Sequence, residues 1–179
     1  MDYSQVLSFW FVEIERKAWF RKDADFDGEI RARFGELHAS ACAAELFGWR
    51  VHPEGRLAEV IVLDQFSRNL FRDDARAFAQ DPLALALAQE AIAVGAHEAV
   101  GDDERAFFYM PYMHSESRVV HDVALELFAE PGMEDNFRFE QRHKAIIDRF
   151  GRYPHRNAVL GRDSTAEELA FLEEKGSSF

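Results

Sequence analysis

"LAEVIVLDQFSRNLF", residues 57–71, decides the fold. Its centre, Val60-Ile61-Val62-Leu63, has the β-branched, apolar composition of a buried strand. Its surroundings argue for a helix. Leu57, Val60, Ile61, Leu63 and Leu70 belong to a longer helical pattern, and no glycine flanks the apolar core. A strand at this point would imply a sheet, and no alternating Val/Ile/Thr segment elsewhere offers it a partner. The stretch therefore reads as a helix, and the chain as all-α.

Outward from this stretch, helical periodicity continues in both directions. Upstream, residues 4–20 place Val6, Leu7, Trp10, Ile14 and Ala18 on one face, with Ser4 as a candidate cap. Residues 27–47 repeat Ile30, Phe34, Leu37, Ala41 and Ala44, with Asp27 as the expected cap. "HPEG", 52–55, reads as a turn. Downstream, "DPLALALAQEAIAVG" opens with Asp81 as cap and Pro82 in the first turn, and closes at Gly95. Residues 104–113 form an aromatic helix that Pro111 is expected to interrupt. Two further helices are expected, over 117–129, with Ser115 a candidate cap, and over 135–150, ending at Gly151. A last helix starts at Ser164, with Glu167 at capping-box spacing, and ends at Gly176. About eight helices with short connections predict antiparallel hairpins stacked in one domain over residues 1–179. No clean repeat of about 34 residues is present.

Composition narrows the function classes. The net charge of −12 argues against nucleic-acid and anionic-membrane surfaces, which need extended positive charge. No apolar run approaches the length of a membrane span. One cysteine, Cys42 in an Ala-rich helical run, excludes a disulfide framework and reads as a buried inert thiol. The first residues lack a basic leader and a small-residue cleavage site, so a soluble cytoplasmic protein is expected. Positive charge is unevenly placed. Residues 138–162 hold six arginines and Lys144 against Glu140 and Asp148, a balance of +5 that leaves −17 for the remainder.

Three constellations carry chemistry. In the first, Asp64, Arg68 and Arg72 recur every four residues, and Asn69 lies beside them. Two arginines one turn apart repel unless an anion or a second carboxylate joins them. In the second, Arg105, Tyr109 and Tyr112 share a stripe, followed by His114, Ser115 and Glu116. The third is "RFGRYPHRNAVLGR", 149–162, with Arg149, Arg152, His155, Arg156, Asn157 and Arg162 and no acidic residue. Gly151 and Pro154 make residues 152–163 an irregular loop leading to a helix N-terminus. Its arginines either pair with internal carboxylates such as Asp64, Glu116 and Asp122, or grip an external phosphate or carboxylate. His114 and His121, seven apart, can share a face with Asp122 nearby, but a metal there needs three ligands held together by tertiary structure, and no cofactor or metal motif is present.

The segments "VIVLDQFSRNLFRDDARAFAQDPLALALA", "RAFFYMPYMHSES" and "RFGRYPHRNAVLGRDSTAEE", together with the N-terminal "VLSFWF", resemble the bacterial DUF924 family over nearly the whole chain. Ser67 stands where the family pattern has proline. The resemblance implies an all-α, tetratricopeptide-like fold and no established activity. The residues themselves favour a binding module for a small anion, a phosphorylated or carboxylated ligand, or an acidic peptide. In that reading Arg68, Asn69, Arg72, Arg105, Tyr109, His114, Arg149, Arg152, His155, Arg156 and Asn157 supply the contacts. The alternatives are two. One is a hydrolase or transferase with Asp64 or Glu116 as base and His114 or His155 as acid. The other is an interaction scaffold with an exposed apolar patch at Trp10, Phe11 and Trp19.

Overall fold

The computed structural model describes residues 1–178, and among these no strand occurs. Contacts divide the chain into two compact units. The first comprises Met1–Arg72 and Arg76–Pro111, and the second Asp73–Ala75 and Tyr112 onward.

In the first unit, α1 (Tyr3–Ser8) packs on α3 (Pro53–Ile61), α3 on α5 (Asp81–Ala93), and α2 (Ala24–Cys42) on α4 (Ser67–Leu70). Its core is aromatic. Phe9, Trp10, Phe34 and Phe66 are fully or almost fully buried. Phe66 meets Phe9, Trp10 and Phe34 at ring separations of 6.2, 5.6 and 5.0 Å.

Two of the helices expected here, 4–20 and 57–71, contain a widened turn. The residues 4–20 helix stops being α-helical at Ser8, and Phe9–Glu13 forms a π-helical turn that ends in extended backbone at Ile14. The expected 57–71 helix contains a second π-helical turn, Val62–Phe66. A π turn carries one residue more than an α turn, so consecutive side chains such as Phe9 and Trp10 can both face inward. Trp10, expected in an exposed patch, is completely buried.

Several boundaries also differ from expectation. Asp23, not Asp27, caps α2 by accepting from the amides of Asp25 and Phe26 at 3.1 and 3.2 Å. Asp2 with Gln5, not Ser4, caps α1. "HPEG" is the start of α3, with Pro53 in the first turn, because proline fits where no N–H is needed. Gly55 is required there, since a Cβ would overlap the Trp49 carbonyl oxygen. Asp81 is the first residue of α5 and Gln80 precedes it as the cap position. Gly95 ends the α5 region in the left-handed conformation, as expected. Cys42 is half-buried.

Pro111 does not break α6 (Asp102–Met113); it lies in the last turn, two residues before the helix ends. In the second unit α7 (Arg118–Phe128) packs against α8 (Glu134–Phe150), and α9 (Ala166–Leu172) packs on the short 3-10 turn Pro154–Arg156. Ser117, not Ser115, occupies the cap position of α7. Thr165 and Glu168, one residue beyond Ser164 and Glu167, form the capping box of α9. Gly151 terminates α8 at φ 70°, which allows the chain to turn into the arginine-rich loop.

Candidate functional site

In the first unit, the π turn and α4 turn a run of polar side chains inward. Asp64, Gln65, Ser67 and Asn69 are all buried. π turns recur where a helix must aim side chains at a functional or polar centre. Asp64 accepts from Gln65 Nε2 at 2.5 Å and lies 3.2 Å from Arg68 Nη1. Arg68 reaches Asp81 with both terminal nitrogens, at 3.1 and 3.2 Å. Arg72 grips Asp27 as a two-pronged fork, both contacts at 2.7 Å, and Asn69 donates to the same carboxylate at 2.8 Å. Asp81 and Asp27 are thus the additional carboxylates that let two arginines stand one turn apart. Sequence reasoning misses Asp27 because an acid at a helix start reads as a cap. Elsewhere in the unit, Arg105 donates from Nε to the His97 carbonyl at 3.1 Å, and Tyr109 is fully buried with its ring 6.1 Å from that of His97.

A depression of about 250 Å³ lies at the start of α6. It is lined by Phe11, Arg16, Trp19 and the segment 101–104, with Arg16 ion-paired to Asp103. Of the candidates above, only Phe11 and Trp19 of the expected apolar patch line it, and none of the ligand-contact candidates does.

The second unit is organised around Tyr153, which composition and spacing do not single out. Its ring is fully buried. Three imidazoles approach it, those of His155, His143 and His121, at 5.5, 5.8 and 6.3 Å, and the Arg156 guanidinium lies over it at 4.7 Å. The Tyr153 hydroxyl donates to the Met113 carbonyl at 2.6 Å. Arg156, itself buried, donates to the His114 carbonyl at 3.1 Å. His143 donates from Nδ1 to the Phe139 carbonyl at 2.8 Å. Burial, with the neighbouring imidazoles of His114, His121 and His155, pushes His143 down to about 3 although its hydrogen bond opposes this, so its ring is neutral.

Carboxylates pin the arginine-rich loop around this ring. Arg162 forks onto Glu116 at 2.6 and 2.8 Å, and the Tyr153 amide donates to the same carboxylate at 2.7 Å. Burial alone would raise the Glu116 carboxyl, but the Arg162 fork, the Tyr153 amide and nearby Arg156 outweigh it and hold it below the usual range. Arg152 forks onto Glu168 at 2.6 and 2.8 Å and also donates to the Asp163 carbonyl at 2.9 Å. That fork, aided by the Thr165 amide, brings Glu168 down to about 2 against the effect of burial. Asn157 is buried, accepts from Arg162 at 3.0 Å and donates to Ser164 at 3.0 Å. Arg149 pairs with Glu167 at 2.8 Å on the surface.

Of the sequence candidates, Asp64, Arg68, Asn69 and Arg72 gather around Asp27 and Asp81 within the first unit. His114, Glu116, Arg152, His155, Arg156 and Asn157 gather on the loop around Tyr153 within the second. Asp122, considered as a partner for the loop or a metal ligand, lies 3.1 Å from Lys144. His121 faces Glu140 at 2.6 Å. Among the described residues no group of three or more His, Cys, Asp or Glu is placed to hold a metal ion, and no helix is long and apolar enough to cross a membrane.

Fold and site together define an all-helical protein whose polar residues are drawn into internal arginine–carboxylate forks and a histidine-lined tyrosine. The profile of a family of bacterial proteins of unknown function, DUF924, matches residues 6–176, and the chain belongs to that family. A protein of unknown function from Agrobacterium tumefaciens has a similar solved structure. It shares 40% sequence identity and a TM-score of 0.91, covering 96% of each chain. No curated protein matches the sequence.

Proposed function

We propose that the chain is a binding module, and that the Tyr153 cluster of the second unit receives the anionic part of a small phosphorylated or carboxylated ligand. The observation that carries this reading is the gathering of Arg156, His143 and His155 around one ring, with Arg156 also on the His114 carbonyl, while the adjacent carboxylate, Glu116, is engaged by Arg162. A guanidinium and imidazoles set side by side in a buried cluster favour an anion. The reading narrows the loop's role. Arg149, Arg152 and Arg162 hold the loop, and Arg156 with His114 and His155 meets the ligand. Glu116 serves as a clamp rather than a base, since a carboxylate with three charge-assisted or amide donors is a weak proton acceptor. A cytoplasmic setting suits a chain with a single unpaired cysteine.

A thermal-shift panel at low salt tests this, with phosphate, di- and tricarboxylates, phosphosugars and an acidic peptide. A ligand at one hundred times its dissociation constant adds about 2.7 kcal/mol, or roughly 5–10 °C for a chain of this size. The shift is expected in wild type and in Arg149→Gln, and lost in Arg156→Gln. A shift that survives Arg156→Gln, or no shift with any anion, discards the reading.

A further inference from the structure

Hydrogen-bond directions around His121 require more protons than the residues ordinarily carry at neutral pH. The ring is completely buried and both nitrogens are engaged. Nε2 lies 2.8 Å from the Ser115 carbonyl oxygen, which can only accept, so Nε2 bears a hydrogen. The Tyr153 hydroxyl, 3.2 Å away, spends its own hydrogen on the Met113 carbonyl and can accept from that same Nε2–H. With Nε2 protonated, a neutral His121 has a bare lone pair on Nδ1. Nδ1 lies 2.6 Å from Glu140 Oε1. An ionised carboxylate facing a lone pair at that separation would be two acceptors in contact, so a hydrogen lies between them.

We propose that the second unit folds around one trapped proton, shared by His121 and Glu140 and resident on Glu140, so that at neutral pH Glu140 is a carboxylic acid and His121 a neutral imidazole. Residence on Glu140 follows from its other oxygen. Oε2 is buried and has no hydrogen-bond partner among the described residues. As half of a carboxylate it would carry buried, unsatisfied charge, whereas as the carbonyl of an acid it is tolerable. Burial also raises the Glu140 carboxyl, and His121 only partly offsets this.

The other titratable groups facing the pair leave the assignment intact. On α8, His143 is neutral, and Lys144 is taken up by Asp122 of α7 and Asp148. From the loop, Tyr153 offers a hydroxyl that donates away from the pair. His155 lies against the Tyr153 ring, Glu116 accepts from the Tyr153 amide and is forked to Arg162, and His114 acts on the neutral His143. In the unfolded chain His121 and Glu140 together hold no extra proton above about pH 6.5, one between about 4.5 and 6.5, and two below. Across the neutral and mildly alkaline range the folded pair holds one. Folding therefore takes up a proton above pH 6.5, and the folding constant falls about tenfold per pH unit there.

The test compares the pH dependence of unfolding between pH 7 and 8.5 in wild type and Glu140→Gln. A glutamine amide donates to Nδ1 as the acid does, yet does not titrate. The expected result is a variant that folds and lacks the tenfold-per-unit slope, both arms differing by one proton. Equal slopes overturn the proposal. Side-chain nitrogen and carboxyl NMR on wild type locates the proton directly, whether or not the variant folds. A neutral Nε2–H imidazole beside a protonated carboxyl is expected. A doubly protonated imidazole beside a carboxylate would move the proton to His121, and a singly protonated imidazole beside a carboxylate would remove it. Either outcome overturns the assignment to Glu140.

Discussion

The two units bury different things. The first closes over Phe9, Trp10, Phe34 and Phe66, rings that need volume and contact but little direction. The second closes over Tyr153, a ring whose hydroxyl donates to a carbonyl and meets a histidine nitrogen, with a guanidinium over its face. Apolar packing degrades in proportion to the space vacated, whereas a polar core fails when one donor or acceptor is stranded or one group changes charge. The difference teaches where each unit is vulnerable, to lost volume in one and to lost atoms and protons in the other.

The largest expected effect breaks the first core. Phe66→Ala should cost about 4 kcal/mol, read as a fall in Tm of roughly 8–16 °C, while Phe66→Leu, which keeps most of the volume, should cost clearly less. Equal losses would show that ring geometry rather than volume holds that core. The next effect belongs to the second unit and to pH. His143 sits well below its ordinary range, so the folded state binds fewer protons than the unfolded state between about pH 6.5 and 3. The His143 contribution is then fully present above pH 6.5 and declines as pH falls, by about 2 kcal/mol at pH 5. His143→Gln keeps a donor for the Phe139 carbonyl but cannot titrate, and chemical denaturation across pH 5–7 should show a flatter profile for it. Parallel profiles would mean that the ring gains its proton in the folded state. The smallest effect is sharpest in its logic. Tyr153→Phe removes one oxygen and almost no volume, and should still cost about 1–2 kcal/mol, because the Met113 carbonyl loses its donor. A neutral outcome in equilibrium unfolding would erase the contrast between the units.

Much of the fold is legible in the sequence. Gly95, Gly151 and Gly176 adopt the left-handed conformation expected of helix terminators, and "VIVL" is helical. What local pattern cannot supply are the π turns, since an extra residue in a turn leaves no mark on apolar periodicity over so short a run. The polar centres are half legible. The arginine-rich loop announces a need for carboxylates, and Glu116 is among those its sequence context suggests. Its other anchors are hidden by distance in the chain or by a local role. Asp27 serves Asn69 and Arg72, 42 and 45 residues later. Glu168, one residue past the expected capping residue Glu167, caps α9 and also holds Arg152. Tyr153 and Glu140 carry no spacing signal at all, because their partners come from the turn after α6, from α7 and from α8.

The π turn at Val62–Phe66 changes how this helix must be counted. A continuous α-helix advances about 100° per residue, so positions on either side of one inserted residue fall out of step by that angle. Leu57 and Ile61 can be placed on one wheel and Ser67, Asn69 and Leu70 on another, but a single wheel drawn through all of them misplaces one set. Anyone transplanting this segment into a designed bundle, or aligning it with an uninterrupted helix, should treat it as two short helices joined by a one-residue phase shift.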